Sequence, residues 1–197
     1  MSALTLADIV DLRAYERQRP DFLRQVIELK KIRRVPIGPL VTVVFENRTT
    51  IRFQIQEMAR AERMSTDEQV QGELDVYNAL VPGPGELCLT LFIELTTEAD
   101  LRQWLPRLVG IERSVELRLG HDPVRVVTAT VDADHAAQLT REEVTASVHY
   151  VRFRLDGEER RAFEAGPVAL AITHEAYAHA TLLSAETRRS LVGDWTA

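Results

Sequence analysis

The chain has 197 residues, 45% of them hydrophobic and 27% charged, with a formal net charge of −6. A chain of that length buries roughly 70% of the surface its unfolded form exposes, so a full core is within reach. The acidic balance argues against general nucleic-acid binding, no apolar run approaches the roughly 18 residues of a membrane helix, and one cysteine, Cys88, allows neither an intrachain disulfide nor a thiolate metal cluster.

The first residues, Met1 to Asp8, lack the basic and apolar regions of a secretory signal, so a cytoplasmic protein is expected. Thr5 with Asp8 forms a capping box for a first helix, and a second helix is expected from Pro20, with Phe22, Val26 and Leu29 on one face. Val35-Pro-Ile-Gly-Pro39 breaks the helical pattern. Val41, Val43, Phe45 and then Ile51, Phe53, Ile55 alternate, which predicts a hairpin around Asn47-Arg48-Thr49. The chain turns helical near Ile55. After a cap at Ser65 with Glu68, a further helix carries Val70, Leu74, Tyr77 and Leu80 on one stripe and ends at Pro82-Gly-Pro-Gly85.

From Glu86 onward the order strand, helix, strand, strand occurs twice. The first unit runs from the alternating Leu87 to Leu95 through a Thr97-capped helix ending at Gly110, then Val115 to Leu119, a turn at Gly120-His-Asp-Pro123, and Val124 to Val131. The second runs from Val144 to Leu155 through an Asp156-capped helix ending at Gly166, then Val168 to Ile172, a turn at His174-Glu175-Ala176, and a return strand. A helix capped by Ser184 closes the chain. The expected class is α+β: N-terminal helices and a hairpin, then two strand-helix-strand-strand units in a mixed, mainly antiparallel sheet. Residues 1–197 read as one domain, with a helical and hairpin part over 1–85 and the repeated part over 86–197. The polar stretch Asp132 to Glu143 is the best internal boundary.

The densest polar chemistry lies between Phe45 and Asn78. On a helix, Gln56, Arg60 and Arg63 share a face with Glu57 one turn from Arg60. Two arginines can clamp a carboxylate or phosphate, and a buried Glu57 can act as a base. The same residue types also make ordinary ion-pair networks. Glu46, Arg48, Gln54, Glu73 and Asn78 complete the candidate ligand or partner surface, and Glu57, Glu62 and Glu73 with a histidine are the alternative set of metal ligands. The spacing of His174 and His179 misses the zinc-protease pattern by one residue, and Asp132 and His135 stand three apart in a loop. His149 and His174 keep the parity of buried neighbours and read as structural. Cys88 reads as a packed thiol, and no catalytic residue or cofactor motif stands out.

The run Phe45 to Arg63, together with Glu73-Leu-Asp-Val-Tyr-Asn78, Pro82-Gly-Pro-Gly-Glu-Leu87, Leu29-Lys-Lys31 and Tyr150-Val-Arg-Phe153, resembles the bacterial domain-of-unknown-function family 3501. That resemblance implies genes beside a rubrerythrin-like protein and an iron-sulfur oxidoreductase, hence a link to redox or oxidative-stress physiology and such proteins as partners. It carries over no catalytic residue. Three readings stay open: an accessory or binding protein of a redox system, an enzyme on a small anionic substrate through the Arg/Glu site, and a carboxylate/His metal protein. A homo-oligomer is compatible with each.

Overall fold

In a computed structural model, the structure describes residues 2–122, 124–131 and 144–196. The stretch Asp132 to Glu143, with the Asp132 and His135 pair, lies outside the described residues, as does Pro123.

A single long helix, α1 (Leu12–Arg33), replaces the two expected N-terminal helices, and Pro20 sits inside it. Proline removes one backbone donor there. The helix continues because Tyr15, Phe22 and Val26 form one buried stripe that spans the proline. The Thr5 and Asp8 capping box closes only a 3-10 turn, Leu6–Asp8. Two short strands follow, β1 (Arg34–Ile37) and β2 (Val41–Glu46), joined at Gly38-Pro39-Leu40. This is the hairpin of the N-terminal part, one strand earlier than expected. The segment Arg48–Ala61, expected to begin as a strand, is wholly helical and forms α2. Asn47 decides this, since its side-chain oxygen accepts from the Thr49 and Thr50 amides while Thr50 Oγ1 accepts from the Asn47 amide. Helix α3 (Asp67–Tyr77) is capped by Thr66 with Gln69 rather than by Ser65, and buries Leu74 on the expected stripe.

The two repeated units are β3 (Glu86–Ile93), α4 (Glu98–Trp104), β4 (Val115–Leu119), β5 (Arg125–Thr128), and β6 (Val148–Arg154), α5 (Gly157–Ala165), β7 (Val168–His174), β8 (Tyr177–Leu182). Helix α6 (Ala185–Thr196) ends the chain, with Ser184 Oγ accepting from the Thr187 amide. The α+β class holds, with one difference. The strands divide between two sheets, ordered β1-β2-β3-β6 and β5-β4-β7-β8, and every pairing is antiparallel. Like strands of the two units pair with each other, β3 with β6 about Leu89 and Val151, and β4 with β7 about Leu117 and Leu170.

The sheets face one another over a core that includes Val43, Phe45, Leu89 and Phe153 from the first sheet and Leu117, Leu119, Leu170 and Ile172 from the second. They join along both edges. Thr130 and Arg152 exchange backbone hydrogen bonds beside β5 and β6, and Thr181 Oγ1 donates to Pro36 O between β8 and β1. The result is a flattened, nearly closed barrel. Phe163 of α5 with Leu191 and Trp195 of α6 packs against its core, as do Leu105 and Leu108 from the segment after β3. On the outer face of the first sheet lie α1, α2 and α3. Residues before position 85 therefore supply both this helical layer and two barrel strands. No helix among the described residues is long and apolar enough to cross a membrane.

Candidate functional site

The polar run expected to carry function is split among several tasks. Arg48 reaches Asp8 Oδ1 at 2.7 Å and Ser2 O at 3.1 Å. Gln56 exchanges two hydrogen bonds with the Val10 backbone, at 2.9 and 3.1 Å, and Asn78 does the same with Leu4, at 2.7 and 2.9 Å. These three side chains pin residues 2–10 to the helical layer, the two amides standing in for the backbone partners of a missing strand.

Glu57 is held between α1 and α2. Arg19 donates to both its oxygens, at 2.8 and 2.9 Å, and the Tyr15 hydroxyl donates at 2.6 Å. The Arg19 guanidinium holds the Glu57 carboxyl below the usual carboxylate range, against its partial burial and with help from Tyr15. A carboxylate so stabilised is a poor general base. Arg60 pairs with Glu16 at 2.7 Å. Arg63 lines a separate cleft with Arg60 and Gln56, which Glu57 does not line. Glu73 is raised by burial and by Glu62 nearby, with Glu57 engaged elsewhere. Among the described residues no three His, Cys, Asp or Glu side chains gather to hold a metal ion.

Glu46 and Gln54 meet at a different place. Between the helical layer and the outer face of the first sheet lies a cavity of about 250 Å³. Its polar lining is Lys30 from α1, Glu46 from β2, Gln54 from α2, Thr90 from β3, Tyr77 from α3 and Tyr150 from β6, set against Ile51, Leu80, Phe92 and Val148. Glu46 is only 7% exposed, and its Oε1 accepts from Thr90 Oγ1 at 2.7 Å. The second Glu46 oxygen, the Lys30 ammonium, the Gln54 amide and the Tyr77 hydroxyl have no hydrogen bond or ion pair among the described residues. Burial, with Tyr77 and Glu46 alongside, raises the Tyr150 phenol, which stays protonated.

Four unpartnered polar groups around one cavity contrast with the satisfied network at Glu57. Glu46 is buried and Lys30, Gln54 and Tyr77 are half-buried, so the open groups face a space that a small ligand can enter. Cys88 borders an adjoining hollow with Tyr150 and Leu80, but burial pushes its thiol up to about 12, which keeps it unreactive.

Lys30, Thr90, Tyr77 and Tyr150 are the lining residues that sequence reasoning missed. Lys30 sits in a basic cluster that suits a helix end, and Tyr77 falls on an apolar stripe. The signal was the resemblance: Lys30, Glu46, Gln54, Tyr77 and Tyr150 all come from segments that carry it.

No curated protein matches the chain. Among solved structures, that of a protein of unknown function from Burkholderia pseudomallei K96243 is similar, with 37% identity, a TM-score of 0.88, and coverage of 98% of this chain and 99% of that one. The model of the family of proteins of unknown function DUF3501 matches residues 3–195. The two-sheet barrel with its N-terminal helical layer is thus seen in a chain that belongs to the DUF3501 family.

Proposed function

We propose that this chain is a binding protein, and that its ligand is a small molecule bearing both a cationic or hydroxyl donor and an acidic oxygen, held against the outer face of the first sheet. The observation that carries the proposal is the set of open groups around the 250 Å³ cavity: Glu46 Oε2, the Lys30 ammonium, the Gln54 amide and the Tyr77 hydroxyl. Glu46 offers an acceptor to the ligand's donor, while Lys30 and the Tyr77 phenol offer donors to its acidic end. The volume equals about eight waters, which suits an amino-acid-sized molecule whose short aliphatic part rests on Leu80, Phe92 and Val148.

Catalysis at Glu57 has less support, because Arg19 and Tyr15 occupy that carboxylate. The accessory role beside an iron-sulfur or rubrerythrin-type partner, and a cytoplasmic setting, belong to the same proposal and rest on the family resemblance. On this reading any cluster chemistry is the partner's, since the one thiol here is buried.

The test is mass spectrometry of protein purified from its native source, with calorimetric titration of α-amino acids and amino alcohols. A co-purifying small molecule, or a titrating one, is expected to lose at least tenfold in affinity in Lys30→Ala and Tyr77→Phe, while the ligand-free variants melt within about 2 °C of the parent, since neither the Lys30 ammonium nor the Tyr77 hydroxyl has a hydrogen bond or ion pair to lose among the described residues. An empty protein that titrates with none of these compounds would sink the proposal.

A further inference from the structure

A second cleft, of about 550 Å³, lies between the start of α1, the end of α2 and the start of α3. It shares no lining residue with the outer-sheet cavity. Three arginines line it. Arg60 uses Nε on Glu16, and the side chains of Arg13 and Arg63 make no hydrogen bond or ion pair among the described residues.

The backbone singles out Arg63. Helix α2 ends in a paired arrangement in which the Met64 amide donates to Ala59 O at 2.9 Å and the Arg63 amide donates to Arg60 O at 3.3 Å. That motif places its penultimate residue in the left-handed region, a position glycine fills most often. Here it is Arg63, at φ 54°, the one non-glycine residue with positive φ among the described residues. Arg63 thus holds an exposed guanidinium at the cleft in a position where glycine would relax the backbone.

We infer that this cleft binds a multiply charged oxyanion, a phosphorylated or polycarboxylate small molecule, through Arg13, Arg60 and Arg63. Guanidinium forks match such oxygens bidentately, and the cleft also faces the first turns of α1 and α3, whose end amides are capped by Asp11 and Thr66. The two carboxylates on the lining are placed by those helices: Asp11 accepts from the Ala14 amide at 2.9 Å as the cap of α1, and Asp67 occupies the first turn of α3.

The strain gives a test in which fold and binding move in opposite directions. Pyrophosphate and citrate are titrated into the full chain at matched ionic strength, with chloride as reference, alongside Arg63→Gly and Arg13→Gln. The expected result is a melting temperature raised by pyrophosphate, citrate or both in the parent, and a response weakened at least tenfold in each variant. Without anion, Arg63→Gly melts about 2–4 °C higher than the parent. The stronger of the two anions identifies the phosphate or the carboxylate class. A parent that responds to neither beyond chloride, or an Arg63→Gly protein that binds as tightly as the parent, would overturn the inference.

Discussion

His149 shows how one side chain ties the sequence pattern to a measurable property. It is 1% exposed on β6, its Nε2 lies 2.9 Å from both Thr145 Oγ1 and Ala146 O, and its Nδ1 is 3.9 Å from Glu112. Burial lowers its pKa from the model-peptide value of 6.5, and this outweighs the attraction of Glu112 and the Ala146 carbonyl, which favour the charged ring. The unfolded chain therefore takes up a proton near pH 6.5 that the native chain takes up only at lower pH. Stability is full above about pH 6.5 and falls as pH drops toward the native pKa, by up to about 1.4 kcal/mol per pH unit. Urea midpoints at pH 7.5 and 5.5 are expected to differ in the parent and to converge in His149→Gln; an unchanged difference would place the acid sensitivity elsewhere. The parity of His149 with Val151 and Phe153 made its burial legible from the sequence. Glu112 was not legible. A glutamate beside an arginine in a turn reads as solvated surface, yet it is fully buried, and neither of its oxygens has a hydrogen-bond partner among the described residues.

Among the elements, α2 decides most about where the candidate groups fall. Its sequence satisfies two periods at once, Ile51, Phe53 and Ile55 by twos and Ile51, Ile55 and Ala59 by fours, so hydrophobic pattern alone does not settle helix against strand. The cap at Asn47 settles it. The same side chain donates through Nδ2 to Asp194 at 3.1 Å, and Asp194 also accepts from the buried Arg33 at 2.6 Å, so the start of α2 is tied to the ends of α1 and α6. Asn47→Ala removes the cap and one arm of that junction together. A loss of about 1–2 kcal/mol in urea denaturation is expected; a loss below about 0.5 kcal/mol would mean that the cap is replaceable by water. The expected strand carried Gln54, and the helix expected from Ile55 carried Gln56. On the helix, Gln54 looks into the outer-sheet cavity while Gln56 holds Val10, a division that only the helical period produces.

At the scale of the molecule, the order of strands and helices from Glu86 onward was legible, because each helix has a side-chain cap and each strand keeps a period of two. The division into two sheets was not, since alternation along a strand is the same whether its inner face meets helices or a second sheet. One hint lay in β2, where Val44 breaks the alternation of Val41, Val43 and Phe45; all six of its residues are buried, as suits a strand covered on both sides. What closes the two sheets into a barrel is equally non-local. The Tyr177 hydroxyl, from the start of β8, donates to Ile37 O at 2.6 Å and accepts from the Leu40 and Val41 amides at 2.9 and 3.2 Å, gripping the β1 to β2 turn from the opposite sheet. Gly38 at the centre of that turn has φ +70°, and a Cβ there would stand 2.6 Å from the same hydroxyl, so the turn and the tyrosine fit only together. Tyr177→Phe keeps the ring and leaves two amides and one carbonyl without their shared partner. It is expected to lower stability by about 2–3 kcal/mol and to speed amide exchange at Leu40 and Val41 far more than at the β3 and β6 centre. Uniform exchange across both sheets would instead mean that the barrel opens only by global unfolding, with Tyr177 contributing to the core but not to its closure.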